Sequence, residues 1–168
     1  MKRIIIHWTA GTNKPCATDL EHYHYLVTGA GEVKNGKYKP EDNENCNDGK
    51  YAAHTGGGNT GSIGVAMCGM YVPSKVDITR TEYPLTKVQC ERTFKLCADL
   101  CKKYNIPITP DYVMTHYEFG KANPKTSSAG KIDIIYLPPW QEVAPAKIGD
   151  FIRNKIKWYY KNSYSLTF

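Results

Sequence analysis

The apolar and polar positions of this chain fall into short blocks, and two of the apolar blocks end on the same residue type. Residues 4–6 are three isoleucines, apolar on both faces of an extended segment, which predicts a short buried strand. His7 follows directly. Residues 11–20 read as loop. "YHYLVTGAGEV" (23–33) alternates into a strand, turns at 29–31 and returns through Val33. Residues 34–50 are polar and rich in Asn, Asp and Gly, which predicts a long surface loop. "TGGGNTGSIGVAMCGM" (55–70) offers a glycine-rich loop feeding a buried strand over 62–69. Thr86 and Gln89 make a capping box, opening a helix that runs to about Tyr104 and stops before Pro107. "YVMTHYE" (112–118) predicts another short strand, again ending on a histidine, His116. An irregular run to 135 and the Pro138–Pro139 break precede a last helix over about 145–160, with Ile148, Ile152, Ile156 and Tyr159 on its inner face. Strands interleaved with two long helices predict an α/β fold, a central mixed sheet flanked by helices. No period recurs and no linker interrupts the pattern, so one domain over 1–168 is expected.

Composition narrows the class. A chain of 168 residues with 41% hydrophobic residues and 13 tyrosines is a folded globule with an aromatic-rich surface or cleft. No stretch approaches the ~20 apolar residues that span a bilayer, so no stable membrane insertion is expected. Nor does the start read as a signal peptide, because its apolar run is short and a histidine ends it. Synthesis in the cytoplasm is the expectation. The net charge of +6 is scattered, and its densest cluster (153–161) lies in the last helix. Such an excess suits a polyanion or a solvated helix face; with no accompanying motif, nucleic acid is not expected as a partner. The six cysteines form no CxxC pair, and Cys90, Cys97 and Cys101 share a helical face with Phe94 and Tyr104. Thiols so placed behave as small hydrophobes, so free cysteines are expected.

The two strand-ending histidines are the candidate chemistry, since α/β sheets build sites at strand ends. Taken alone, His7 is as well explained by a hydrogen bond to a neighbouring carbonyl. A catalytic zinc needs three protein ligands and an open position. "SAGKIDI" (128–134) supplies a candidate third in Asp133, flanked by Ile132, Ile134 and Ile135. Burying that carboxylate demands a partner, a metal or an arginine.

At this point the residues carry a resemblance. "IIIHWTAG", "YHYLV…GEV", "AAHTGGGNTGSIGVAMCGM", "THYE" and "GKIDI" occur in the order seen in the zinc-dependent N-acetylmuramoyl-L-alanine amidases of the type 2 family. That family includes phage lysozyme-type amidases and is related to the peptidoglycan recognition proteins. The resemblance covers 4 to about 137. It implies that family's fold, one zinc ion, and hydrolysis of the amide joining the lactyl group of N-acetylmuramic acid to L-alanine. His7, His116 and Asp133 match the metal ligands. Lys131 matches the lysine two residues before the third ligand, and Tyr23 the tyrosine opening the family's Tyr-His/Asn-aromatic strand; both are the expected catalytic residues. His54 and Asn59 match positions of the substrate cleft. Tyr25 shares the two-residue phase of Tyr23 and is its rival. His54 also reads as a hydrogen-bonded loop histidine, Asn59 as the residue of a left-handed turn, and Glu118 as a supporting or surface carboxylate rather than a base. Ile134 departs from the family, where many members place proline after the third ligand, and the run 119–130 departs in length.

The partner so implied is peptidoglycan or a muropeptide, met by a monomer at the bacterial cell wall in an endolysin-like role. A cytosolic muropeptide-recycling amidase and a non-catalytic peptidoglycan-binding module are the alternatives.

Overall fold

The computed structural model describes residues 1–162; the end of the expected 1–168 domain lies outside the described residues. Five strands form one sheet: β1 (Arg3–Trp8), β2 (Tyr25–Val27), β3 (Val33–Asn35), β4 (Ser62–Met67) and β5 (Val113–Thr115), in the order β3-β2-β4-β1-β5. β1 lies parallel to β4 and β5, and β2 parallel to β4, while β3 returns antiparallel to β2. The sheet is therefore mixed. Its four parallel strands end along one edge.

Alternation along β1 explains the layers. Ile4, Ile6 and Trp8 point into the main core, joined by Ile63, Val65 and Met67 of β4. Two helices cover that face: α2 (Lys87–Tyr104) and α4 (Pro145–Asn162). The α2 start is the capping box expected at Thr86 and Gln89, and Asn105 ends it in a left-handed conformation. Cys90, Cys97 and Cys101 are buried beside Phe94 on its inner stripe, and Ile148, Ile152 and Ile156 form that of α4. All six cysteines are free.

On the opposite face, Ile5 packs with Met114 and Phe119. His7 shares this face with Ile5. The neighbouring β4 positions are Gly64 and Ala66, paired with Ile5 and His7. Small residues there leave room for side chains lying flat on the sheet.

Three stretches differ from the sequence-based reading. Part of the expected 11–20 loop is helical, since α1 runs Ala17–His22. The expected strand through "YVMTHYE" stops at Thr115, where α3 (His116–Ala122) begins with Thr115 and Glu118 as its own capping box. The polar stretch 34–50 is not wholly surface: Asn43 is fully buried in a 3-10 turn (Pro40–Glu44). Its amide oxygen accepts from Ala52 N–H and its amide nitrogen donates to the Ala52 and Asn59 carbonyls, so one buried side chain shapes the loop.

Candidate metal centre and cleft

The parallel strands carry their polar residues to one edge. Ile6 of β1 pairs with Thr115 of β5, so the next residues, His7 and His116, emerge side by side. Their rings meet edge to face, with centroids 4.7 Å apart. His7 Nδ1 lies 3.1 Å from His116 Nδ1, and Asp133 Oδ2 lies 3.0 Å from the first and 3.2 Å from the second. All three residues are buried.

The far nitrogens decide what those near atoms can do. His54 Nε2 lies 3.3 Å from the Ser62 carbonyl, which can only accept, so that nitrogen carries the His54 hydrogen. His54 Nδ1 is then an acceptor, 2.7 Å from Thr55 Oγ1 and 3.2 Å from His7 Nε2. His7 Nε2 therefore carries the His7 hydrogen, and in the neutral ring His7 Nδ1 is a bare lone pair. Burial lowers the His7 pKa, which keeps the ring neutral. Asp133 is the charged member of the trio.

A carboxylate thus meets imidazole nitrogens with no Lys or Arg paired to it among the described residues. A cation would complete the set. Ligand bonds of 2.0–2.1 Å in a tetrahedron put ligand atoms about 3.3 Å apart, close to the spacings here. Zinc fits this donor set.

His116 and Asp133 line a cleft of about 680 Å³, and His7 is fully buried beside them. Tyr23 and Lys131 line it. The Tyr23 ring lies 5.1 Å from that of His7, and burial followed by the Asp133 charge pushes its phenol up, so it stays protonated. Tyr25 turns instead towards the main core, because Tyr23 caps α1 and the two do not share a strand. Lys131 is exposed on the rim.

His54 and Asn59 also line the cleft, but much of their bonding capacity is spent within the protein. Both His54 ring nitrogens have partners, and burial, then His7 and His24, hold its pKa well below the usual value. A Cβ at Gly64 would collide with the His54 ring, so only glycine lets the imidazole lie on the sheet. Asn59 Oδ1 accepts from the backbone N–H groups of His54 and Thr55, at 2.9 and 2.8 Å, and so shapes the glycine-rich loop. Glu118 is held by Arg153 through two 2.9 Å bonds, away from any role as a free base.

Sequence reasoning missed three residues here. Thr55 stands behind His7, and Ser128 lies 3.0 Å from His116 Nε2. His22 lines the cleft with Nδ1 only 2.7 Å from the Ala53 carbonyl. Only Thr55 had a signal, its place beside His54.

A family model described as N-acetylmuramoyl-L-alanine amidase matches residues 1–131. Among solved structures, that of a point mutant of PlyL aligns at 20% identity over 93% of this chain and 84% of that one, with a TM-score of 0.52. A structure of PlyL without that substitution aligns at 21% identity over 92% and 82%, with a TM-score of 0.49. The first likeness shows a shared fold. No curated protein matches the sequence.

Proposed function

The chain belongs to the N-acetylmuramoyl-L-alanine amidase family, and from that premise we propose that it hydrolyses its amide bond with a zinc ion held by His7 Nδ1, His116 Nδ1 and Asp133 Oδ2. The bond is the one joining the lactyl group of N-acetylmuramic acid to L-alanine, and peptidoglycan is the substrate. The observation carrying the metal reading is the buried convergence of two imidazole nitrogens and a carboxylate, each within 3.2 Å of the next. No helix among the described residues is long and apolar enough to cross a membrane. Residues 1–168 act as one catalytic domain and as a monomer at the cell wall.

When bound, zinc supplies Lewis acidity and brings the pKa of water towards ~7, near the working pH. The remaining chemistry belongs to side chains. Attack on an amide carbon places negative charge on its oxygen, and a cation poised there lowers the barrier. Lys131 Nζ, on the cleft rim two residues before Asp133, supplies that charge. Tyr23 Oη keeps its proton and donates to the same oxygen or orients the attacking water. His54 holds the His7 ring in place and presents its edge to the substrate, while Asn59 fixes the loop that forms one cleft wall.

The test is cleavage of a defined muropeptide, followed by mass spectrometry, with zinc content measured in the same preparation. The expected result is one zinc per chain and separation of the glycan from the L-alanine end, both lost in His116→Ala. Full activity in metal-free His116→Ala would refute the metal reading, and binding without cleavage by the wild type would refute catalysis.

A further inference from the structure

Ser128 is a fully buried hydroxyl that the proposed chemistry does not use. Its Oγ lies between two groups: His116 Nε2 at 3.0 Å and the Gly56 carbonyl at 2.7 Å. A serine hydroxyl has one hydrogen to give. The carbonyl can only accept, so that hydrogen goes to Gly56. Oγ must then accept from His116, which places the imidazole hydrogen on Nε2. In a neutral ring this leaves Nδ1 bare, on the side facing His7 and Asp133.

Backbone packing fixes the hydroxyl in place. A Cβ at Gly56 would run into the Ser127 side chain, and one at Gly120 would overlap the Ser128 carbonyl. The glycine-rich loop and α3 can therefore press against residues 127–128 only because those positions lack side chains. The Ser128 carbonyl in turn accepts from the Lys131 N–H at 3.2 Å, at the start of the segment that carries Lys131 and Asp133.

We propose that Ser128 is a positioning residue, locking His116 in the Nε2–H tautomer so that Nδ1 is free to bind the metal. This inference rests on the zinc reading above. Ser128 touches neither substrate nor metal and acts only through His116 and the segment after it. Without the lock, the other tautomer directs an N–H at the two other ligand atoms, and a metal ion must displace that hydrogen before it can bind. Groups that hold metal-ligating histidines in this way typically contribute 10–100-fold to metal affinity.

Two measurements test it. The first needs no substitution: long-range ¹H–¹⁵N correlation on metal-free wild-type protein at pH 8 reads the tautomer directly. The expected pattern is an unprotonated Nδ1 and a protonated Nε2 on His116, and the reverse pattern overturns the proposal. The second is zinc affinity by chelator competition. Ser128→Ala should bind zinc about 10–100-fold more weakly and show a mixture of His116 tautomers, and Ser128→Thr should restore affinity in part. Wild-type affinity in Ser128→Ala overturns the proposal. Should the wild type bind no zinc at all, the metal reading fails, and the tautomer spectrum still decides for or against the lock.

Discussion

Two carboxylates accompany His116, Glu118 two residues further along α3 and Asp133 facing its ring, and they are held in opposite ways. Glu118 is gripped by Arg153, with both carboxylate oxygens at 2.9 Å from the guanidinium. The same arginine donates to the Val113 carbonyl and to Asp150, tying α4 to β5 and α3. Among the described residues Asp133 pairs with no Lys or Arg, and its carboxylate meets His7 and His116. A buried charge is tolerated when paired and costly when not. The first carboxylate is therefore complete within the protein, and the second is the one that the proposed zinc would complete. Structure and function divide along that line.

The largest effect separates the two directly. Asp133→Asn keeps the shape of the side chain and removes its charge. Activity on a defined muropeptide should fall by on the order of 10³-fold or more, since a direct ligand outweighs the 10–100-fold of a supporting residue. Metal-free stability should stay within about 1 kcal/mol of wild type, because an unpaired buried charge has gone. Zinc should raise the melting temperature of the wild type and leave that of the variant unmoved. A variant that keeps activity and zinc would place Asp133 alongside Glu118 as a structural group.

What the sequence reveals follows the same division. Asp133 stands out because an acid among isoleucines must find a partner, and His7 and His116 because each ends an apolar run. The Thr86 and Gln89 capping box and the Ile148, Ile152 and Ile156 stripe placed both long helices. α1 escaped because it has no buried residue and hence no apolar stripe. α3 escaped because its capping box overlaps the end of β5, so strand and helix signals share Thr115. Asn43 and Ser128 are fully buried, yet a buried polar residue is written in the same letters as an exposed one. Their partners, backbone groups and the rings of His24 and His116, lie 9 to 72 residues away along the chain, which no local pattern reports.

The second prediction concerns charge that appears only during the reaction. Lys131→Met should lower kcat about 10²–10³-fold, or about 3–4 kcal/mol, with a smaller change in KM. Tyr23→Phe removes one neutral hydrogen bond and should cost roughly tenfold to a hundredfold. Zinc content should be unchanged in both. Wild-type kcat in zinc-loaded Lys131→Met would reduce that lysine to a solvated rim charge.

The third prediction turns to the self-contained pair. Arg153→Met leaves Glu118 without its cation and should destabilise the fold by about 3 kcal/mol, the low end for a broken buried pair because Glu118 keeps some contact with water. Urea unfolding of the metal-free protein measures it, and zinc affinity should move less than tenfold. Loss of zinc binding with an unchanged unfolding midpoint would show that the Glu118 pair serves the site rather than the fold.

The smallest effect comes from a third buried group, held by neither kind of cation. His24 Nδ1 accepts from the Gly64 backbone N–H at 2.9 Å, and Nε2 therefore donates to Asn43 Oδ1 at 2.8 Å. Protonating Nδ1 would break the first bond. Burial, opposed by Asn43 and the nearby Asp42 and Glu41, brings the His24 pKa down to about 4. In the unfolded chain His24 titrates near 6.5. Between those values the unfolded state binds the extra proton and the folded state does not, so stability is full above pH 6.5 and falls as the pH drops towards 4. The slope from this one group is about 1.4 kcal/mol per pH unit, or about 2 kcal/mol lost by pH 5. The His24 ring resonances should titrate near the lower value, and the urea midpoint of metal-free protein should fall through the same window. A His24 titration near 6.5 would mean that the Gly64 N–H does not hold the ring neutral. Backbone donors would then be too weak to stand in for the cation that Arg153 gives Glu118 and that the proposed zinc would give Asp133.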